Sequence, residues 1–272
     1  MNTLTISILI VVGSVAMSLA GLFMVNRLAD KDTLRKHHEL AGHMLAVVGT
    51  LNAILLGLVV VEAQNRYQQA RTMEAQEASG VADMKRFSDS LPNPVRKELR
   101  AAERQYVFDV VNLEWDSNQQ EKADPTTTRD FGLMCRAVCK YEPTNGREQN
   151  LHSAMLSAMQ VVADCRRFRL TAERHGLPPI LWIVMIAGAT ITVLFTYFFT
   201  FETLYMQVIM TVLLSIILSL NIVLVKVLGH PYSGDWRIRP DQFTRVWPGS
   251  VKANAPDSPD TADDSDQPSE SK

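Results

Sequence analysis

The stretch HHELAGH is the nearest approach in this chain to a metal-hydrolase motif. A zinc-protease helix needs histidines at i and i+4, with a glutamate after the first. Here His38, Glu39 and His43 leave the histidines five residues apart, on different helix faces. The pattern reads as a polar connection. Cys135 and Cys139 lie one helical turn apart and could hold a metal, with Cys165 as the third cysteine of the chain. An odd number excludes a complete disulfide framework. No well-spaced His or Cys pair completes four ligands, so reduced, partly buried thiols are expected. The sequence holds no Walker loop, no dinucleotide glycine fingerprint, no G-x-S-x-G elbow and no paired-Cys zinc motif. No catalytic residue, metal ligand or cofactor is assigned, and the chain is not read as an enzyme.

Other polar residues have chemistry of a different kind. RRFR, Arg166 to Arg169, would suit a nucleic-acid backbone, but beside an apolar run it reads as a retention charge in contact with lipid headgroups. No nucleic-acid partner is expected. Thr50, Asn52, Thr190, Thr192, Thr196, Ser215, Ser219 and Asn221 fall inside apolar runs. Hydroxyls there can bond their own helix or a neighbour. Asn52 is costlier in lipid and should face protein or a water-filled cavity. Glu62 precedes Arg66 by four residues, the favourable order for a helical ion pair. It could equally form a charged ring if several copies surround an axis.

These residues are positioned by four apolar stretches, 4–25, 44–63, 180–201 and 204–228. Each holds about 20 residues or more, enough to cross roughly 30 Å of hydrocarbon at about 1.5 Å per residue. Polar segments between them bring the mean hydropathy to +0.00 and the formal charge to −2. The start, MNTLTISIL, lacks the Lys or Arg of a signal peptide, so the first stretch is read as a retained anchor. Juxtamembrane Lys and Arg number ten on one side, from Arg66, Arg71, the 166–174 group and Lys226 to Arg245. The other side holds four, Arg27, Lys31, Arg35 and Lys36. That balance puts both termini in the cytoplasm.

The expected fold is an all-α integral membrane protein, with a cytoplasmic helical domain between spans two and three. Residues 1–64 carry the first two spans, 65–176 the domain, 177–229 the last two spans, 230–249 a cytoplasmic exit segment and 250–272 an acidic disordered tail. Within the domain, helical spacing continues from span two through Tyr67, Ala70, Met73, Ala78, Val81, Met84 and Phe87. Asn93 is expected to cap a helix that starts at Pro94 and runs to about Trp115. Further helices are expected over 126–140 and 148–175. LGHPYSG reads as an exit turn, stopped by Pro231 and Gly234, with His230 near the membrane edge.

Several longer stretches carry a family resemblance. They are VVGTLNAILLGLVVVEAQNRYQQA, LPNPVRKELR, YVFDVVNLEW, RRFRLTAERHGLPPILW and HPYSGDWRIRPDQF. Over 47–243 the chain resembles the bacterial domain-of-unknown-function family numbered 4239, also called bestrophin-like. More distantly it is similar to the bestrophins, pentameric anion channels with four spans and cytoplasmic termini. Their second span ends in a signature close to Y-D-R-W-W-E-A-R. Here QNRYQQAR retains Arg66, the aromatic Tyr67, Ala70 and Arg71, and departs at Gln64, Asn65, Gln68 and Gln69.

The resemblance implies a homo-oligomeric ion channel of the bacterial inner membrane, conducting an anion such as chloride, with the second span as pore wall. The matched neck is Thr50, Ile54 and Leu58, with Asn52 and Glu62 also placed on the pore. No phenylalanine stands in this neck, and Thr50 occupies one level. Membrane lipid and further copies of the chain are the implied partners. The competing reading is a non-conducting membrane scaffold or regulator whose cytoplasmic helices bind a protein. A ring of about five copies would support the channel, and a monomer or dimer the scaffold.

Overall fold

A computed structural model describes residues 3–28, 38–115, 123–172, 176–198 and 204–251. The first helix, α1, is Thr3–Leu28. The second, α2, runs unbroken over His38–Asp89, 52 residues without a proline. It is followed by α3 (Asn93–Asp109), a π turn (Val110–Glu114), α4 (Pro125–Lys140) and α5 (Gly146–Ala172). Then come α6 (Pro179–Tyr197), α7 (Leu204–Gly229) and the short α8 (Asp241–Val246). No strand occurs among the described residues. Helices α1, α2, α6 and α7 each carry a window long and apolar enough to cross a membrane. The first connection with Lys31, Arg35 and Lys36, the loop 116–122, Arg174, the turn at Glu202 and the expected tail beyond 251 lie outside the described residues.

Local chemistry sets the helix limits. After Asp89 two tight turns carry the chain to Pro92, which occupies the cap position of α3 without a side-chain bond. Asn93 is therefore one residue inside the helix, a correction to its expected role as cap. Its Oδ1 accepts from Arg96 Nη2 at 3.1 Å instead of from a backbone N–H. Asp124 caps α4, accepting from the Thr127 amide at 2.8 Å. Thr144 to Glu148 form a reciprocal box at the start of α5: Asn145 Oδ1 accepts from the Glu148 amide at 2.9 Å, and Glu148 accepts from the Thr144 amide at 2.8 Å. The π turn that ends α3 adds one residue to a helical turn. Glu114 and Trp115 both end up buried.

Two cores follow. In the membrane layer, Leu56, Val59 and Ala63 of α2 pack with Met185 and Ala189 of α6 and Leu218 and Val225 of α7. In the helical domain, Ala78, Val81 and Met84 of α2 pack with Leu99, Tyr106, Met134, Met155 and Val162. The segment after α7 closes this second core with Tyr232, Ile238 and Phe243. Helix α1 lies against α7. At one end Asn26 Nδ2 donates to Gln207 Oε1 at 3.2 Å, and at the other Thr3 Oγ1 accepts from the Asp235 amide at 3.0 Å. The start of α1, the exit segment and the helical domain thus share one end of the molecule.

Helix α5 packs tightly on α2 at Gly80. A Cβ there would stand 2.8 Å from Val162 Cγ2 and 3.2 Å from the Ala158 carbonyl oxygen. A branched side chain cannot fit without moving α5. Gly80→Val is expected to cost about 1–3 kcal/mol as overpacking, read as a lower midpoint in thermal unfolding. An unchanged midpoint would show that α5 yields at no cost.

Candidate functional site: the uncovered face of the second helix

Helix α2 buries one side along its length. Leu56, Val59, Ala63, Ala70, Glu74, Glu77, Ala78 and Val81 are all inside. The opposite side is uncovered. Val47, Leu51, Ile54, Leu58 and Val61 are 57%, 58%, 57%, 63% and 56% exposed. Asn65, Gln68, Thr72, Ala75 and Ser79 continue the same row, all exposed. Steps of three and four residues keep these positions on one stripe. Its first half is apolar, and its second half is uncharged and polar or small.

The expected site residues distribute unevenly over this helix. Thr50, Ile54 and Leu58 lie on the uncovered side. Thr50 Oγ1 donates to the Ala46 carbonyl at 2.7 Å, so its hydroxyl is satisfied within its own helix. Asn52 does not share that side, which corrects its grouping with them. It is buried against α6, where a Cβ on Gly188 would overlap its carboxamide. The lack of a side chain at Gly188 gives the amide its room. Glu62 accepts from Arg66 Nε at 3.0 Å, and Arg66 Nη1 reaches the Gly176 carbonyl at 3.2 Å. The pair lines a cleft of about 280 Å³ with Gln69, Phe168, Thr171 and Gly229.

Of the remaining motif residues, Ala70 is fully buried, and its carbonyl accepts from Tyr232 Oη at 3.1 Å. Tyr67 packs at the edge of the domain core. Arg71 points outward on an open face of α2 that it shares with Gln68, Thr72, Ala75, Gln76 and Ser79. His38 and Glu39 open α2, but their side chains lie outside the described residues, whereas His43 is exposed. Cys165 is buried, Cys135 intermediate and Cys139 exposed. Among the described residues no three His, Cys, Asp or Glu side chains gather into a metal site.

Two of the three arginines of RRFR are turned inward, which corrects their reading as headgroup contacts. Arg166 and Arg169 are 7% and 0% exposed, and only Arg167 of the three arginines faces outward. Arg169 donates twice to Glu77, from Nε and Nη2, both at 2.9 Å. Its Nη2 also reaches Glu114 Oε2 at 2.9 Å. Arg166 pairs with the same Glu114 and donates to Thr128 Oγ1 at 3.0 Å. Tyr106 Oη donates to Glu77 Oε1 at 2.6 Å, and the Arg169 guanidinium lies 5.0 Å from the Trp115 ring centre. Burial, reinforced by the Glu77 charge, holds the Tyr106 phenol well above its ordinary range. Two cations and two anions leave this network neutral overall.

Sequence reasoning missed Glu77 and Glu114 as its anchors. A usable signal existed. Glu77, Val81 and Met84 share one helical stripe, so Glu77 is a carboxylate on an apolar face. Such a group needs a buried cation, and Arg166 and Arg169, three residues apart on one face of α5, supply it.

Glu103 is a different case. It is fully buried, and neither carboxylate oxygen has a hydrogen-bond partner. Burial pushes its pKa from 4.5 up to about 8. A raised carboxyl pKa means that the folded state holds the proton more tightly. The associated stability is complete below about pH 4.5 and is lost as the pH rises through about 8. Glu103→Leu should therefore melt at a higher temperature than the parent, with the gap widening from pH 5 to pH 9. A constant gap across that range would mean that Glu103 does not titrate with unfolding.

The fold and this exposed helix define a four-span helical membrane protein of the bestrophin architecture. A Bestrophin-like domain model matches residues 12–243, and the chain belongs to that family. No curated protein matches it. Crystal structures of a bacterial bestrophin homologue from Klebsiella pneumoniae are similar. An isoleucine-to-threonine variant has a TM-score of 0.63 at 14% identity, covering 88% of this chain and 97% of its own. The homologue solved by zinc phasing has a TM-score of 0.59 at 16% identity, covering 88% and 95%. At these identities the likeness speaks for the fold.

Proposed function

We propose that this protein is one subunit of an oligomeric ion channel of the bacterial inner membrane, conducting an anion such as chloride. In this reading several copies set the uncovered face of α2 around a common axis. Ile54 and Leu58, with Thr50 above them, form a narrow apolar neck. The polar row from Asn65 to Ser79 lines a vestibule, and the paired Glu62 and Arg66 stand at its mouth. The observation that carries the reading is the continuous uncovered stripe of α2, apolar through the membrane layer and uncharged beyond it. An apolar constriction opening into a polar vestibule is how a pore gates by wetting. Selection and conduction of this kind require no covalent chemistry and no cofactor.

The deciding experiment is ion flux in proteoliposomes, with particle mass measured on the same sample. A ring of about five copies that passes chloride supports the channel. A monomer or dimer passing no ion would favour the scaffold reading, in which the helical domain binds a protein partner.

Sidedness is tested with a native thiol. If the termini and helical domain are cytoplasmic, the exposed Cys139 of α4 should resist an impermeant maleimide in spheroplasts and react once they are permeabilised. Labelling before permeabilisation would invert the topology.

A further inference from the structure

We infer that Arg71 and the open polar face of α2 beside it form the anion-selecting station of the vestibule, an assignment that rests on the channel reading above. Flanking the uncovered row of α2, the charges near the membrane are Glu62, Arg66 and Arg71, and of these only Arg71 is exposed. The first two cancel: Arg66 Nε stands 3.0 Å from Glu62, and its Nη1 is bound to the Gly176 carbonyl. Arg71 differs. Among the described residues no carboxylate lies within ion-pair distance of it, and its nearest helical acid on the C-terminal side, Glu74, is turned into the core.

The side chains around it on this face supply donors for an anion. Gln68 and Gln76 bring carboxamide donors, Ser79 brings a hydroxyl, and no acidic side chain takes part. Thr72 contributes less, because its hydroxyl already donates to the Gln68 carbonyl at 2.9 Å. An exposed guanidinium cannot lose its proton near neutral pH. A ring of Arg71 side chains would thus hold a permanent positive potential where the pore widens, beyond the apolar neck. Fixed positive rings attract anions and repel cations. The ligand class is a small monovalent anion, held loosely enough to pass on, because one cation with neutral donors binds less firmly than a cluster of cations.

The test is the reversal potential of the full-length protein in planar bilayers under a potassium chloride gradient. The parent should prefer chloride. Arg71→Gln should lower the chloride-to-potassium permeability ratio by at least about fivefold, the worth of one charge at short range in water, since every copy in the ring loses one. Arg71→Glu should carry the preference toward potassium, whereas Arg71→Lys should keep it. High salt should mute all these differences through screening. Arg167→Gln, on the exposed side of α5, should change nothing. Should Arg71→Gln fail to assemble, Gln76→Glu places an anion on the same face and should move the reversal potential in the same direction. Conducting Arg71→Gln and Gln76→Glu proteins with the parental reversal potential would overturn the station and leave the channel standing. A parent that forms no ring and conducts no ion would remove both.

Discussion

Arg169→Ala should lose about 3–5 kcal/mol of stability, the usual cost of removing one partner from a buried ion pair. The expected result follows from what remains. Glu77 and Glu114 are both 0% exposed, and Arg169 is the only cation that touches both among the described residues. Without it, Glu77 keeps only the Tyr106 hydroxyl at 2.6 Å, and Glu114 keeps Arg166. An uncompensated carboxylate in that position must take up a proton or open the core. Arg166→Ala should cost less, since it touches one carboxylate, and Arg167→Ala should cost nearly nothing, as its guanidinium is exposed beside Asp164 at 3.6 Å. The measurement is the unfolding midpoint of the three variants in one detergent. An order with Arg169 in the middle or last place would show that the network is not the anchor described.

The second large effect concerns conduction. Ile54→Ala with Leu58→Ala should give larger, leakier currents, because smaller walls widen and wet an apolar constriction. Three settings for these side chains predict three outcomes. On a pore wall, flux rises and the protein assembles normally. On a lipid-facing stripe, flux and stability both stay near the parent. In a packed core, each truncation would cost about 2–5 kcal/mol and lower the yield. Exposures of 57% and 63% within the single chain argue against burial by the subunit's own helices. A well-assembled double variant with parental flux would rule out this neck.

The membrane layer was legible because apolar runs of sufficient length admit few alternatives to a spanning helix. Helix α2 was legible for the same reason, as no proline interrupts it from His38 to Asp89. Side-chain direction was harder. Ile54 and Leu58 could be aligned by spacing, but nothing in the spacing shows that Gly188 opens room for Asn52. That depends on two helices far apart in sequence. RRFR misled for a related reason. Juxtamembrane arginines usually meet headgroups, and only the placement of Glu77 and Glu114 by α2 and the π turn reveals another use. The π turn itself has no strong sequence mark, yet it brings Glu114 and Trp115 into the core together.

The 52 residues of α2 span about 78 Å at 1.5 Å per residue, well over twice the thickness of the hydrocarbon layer. Such a rod would transmit a tilt along its length as a lever does. Pivoting it by about 5° at one end would sweep the other end through roughly 7 Å, a displacement larger than one helical turn. The distal arm is gripped by α5 at Gly80, and the exit segment ties it at Ala70. In the proposed channel, a torque applied to the helical domain would reach Ile54 and Leu58 as a lateral displacement, delivered from tens of ångströms away.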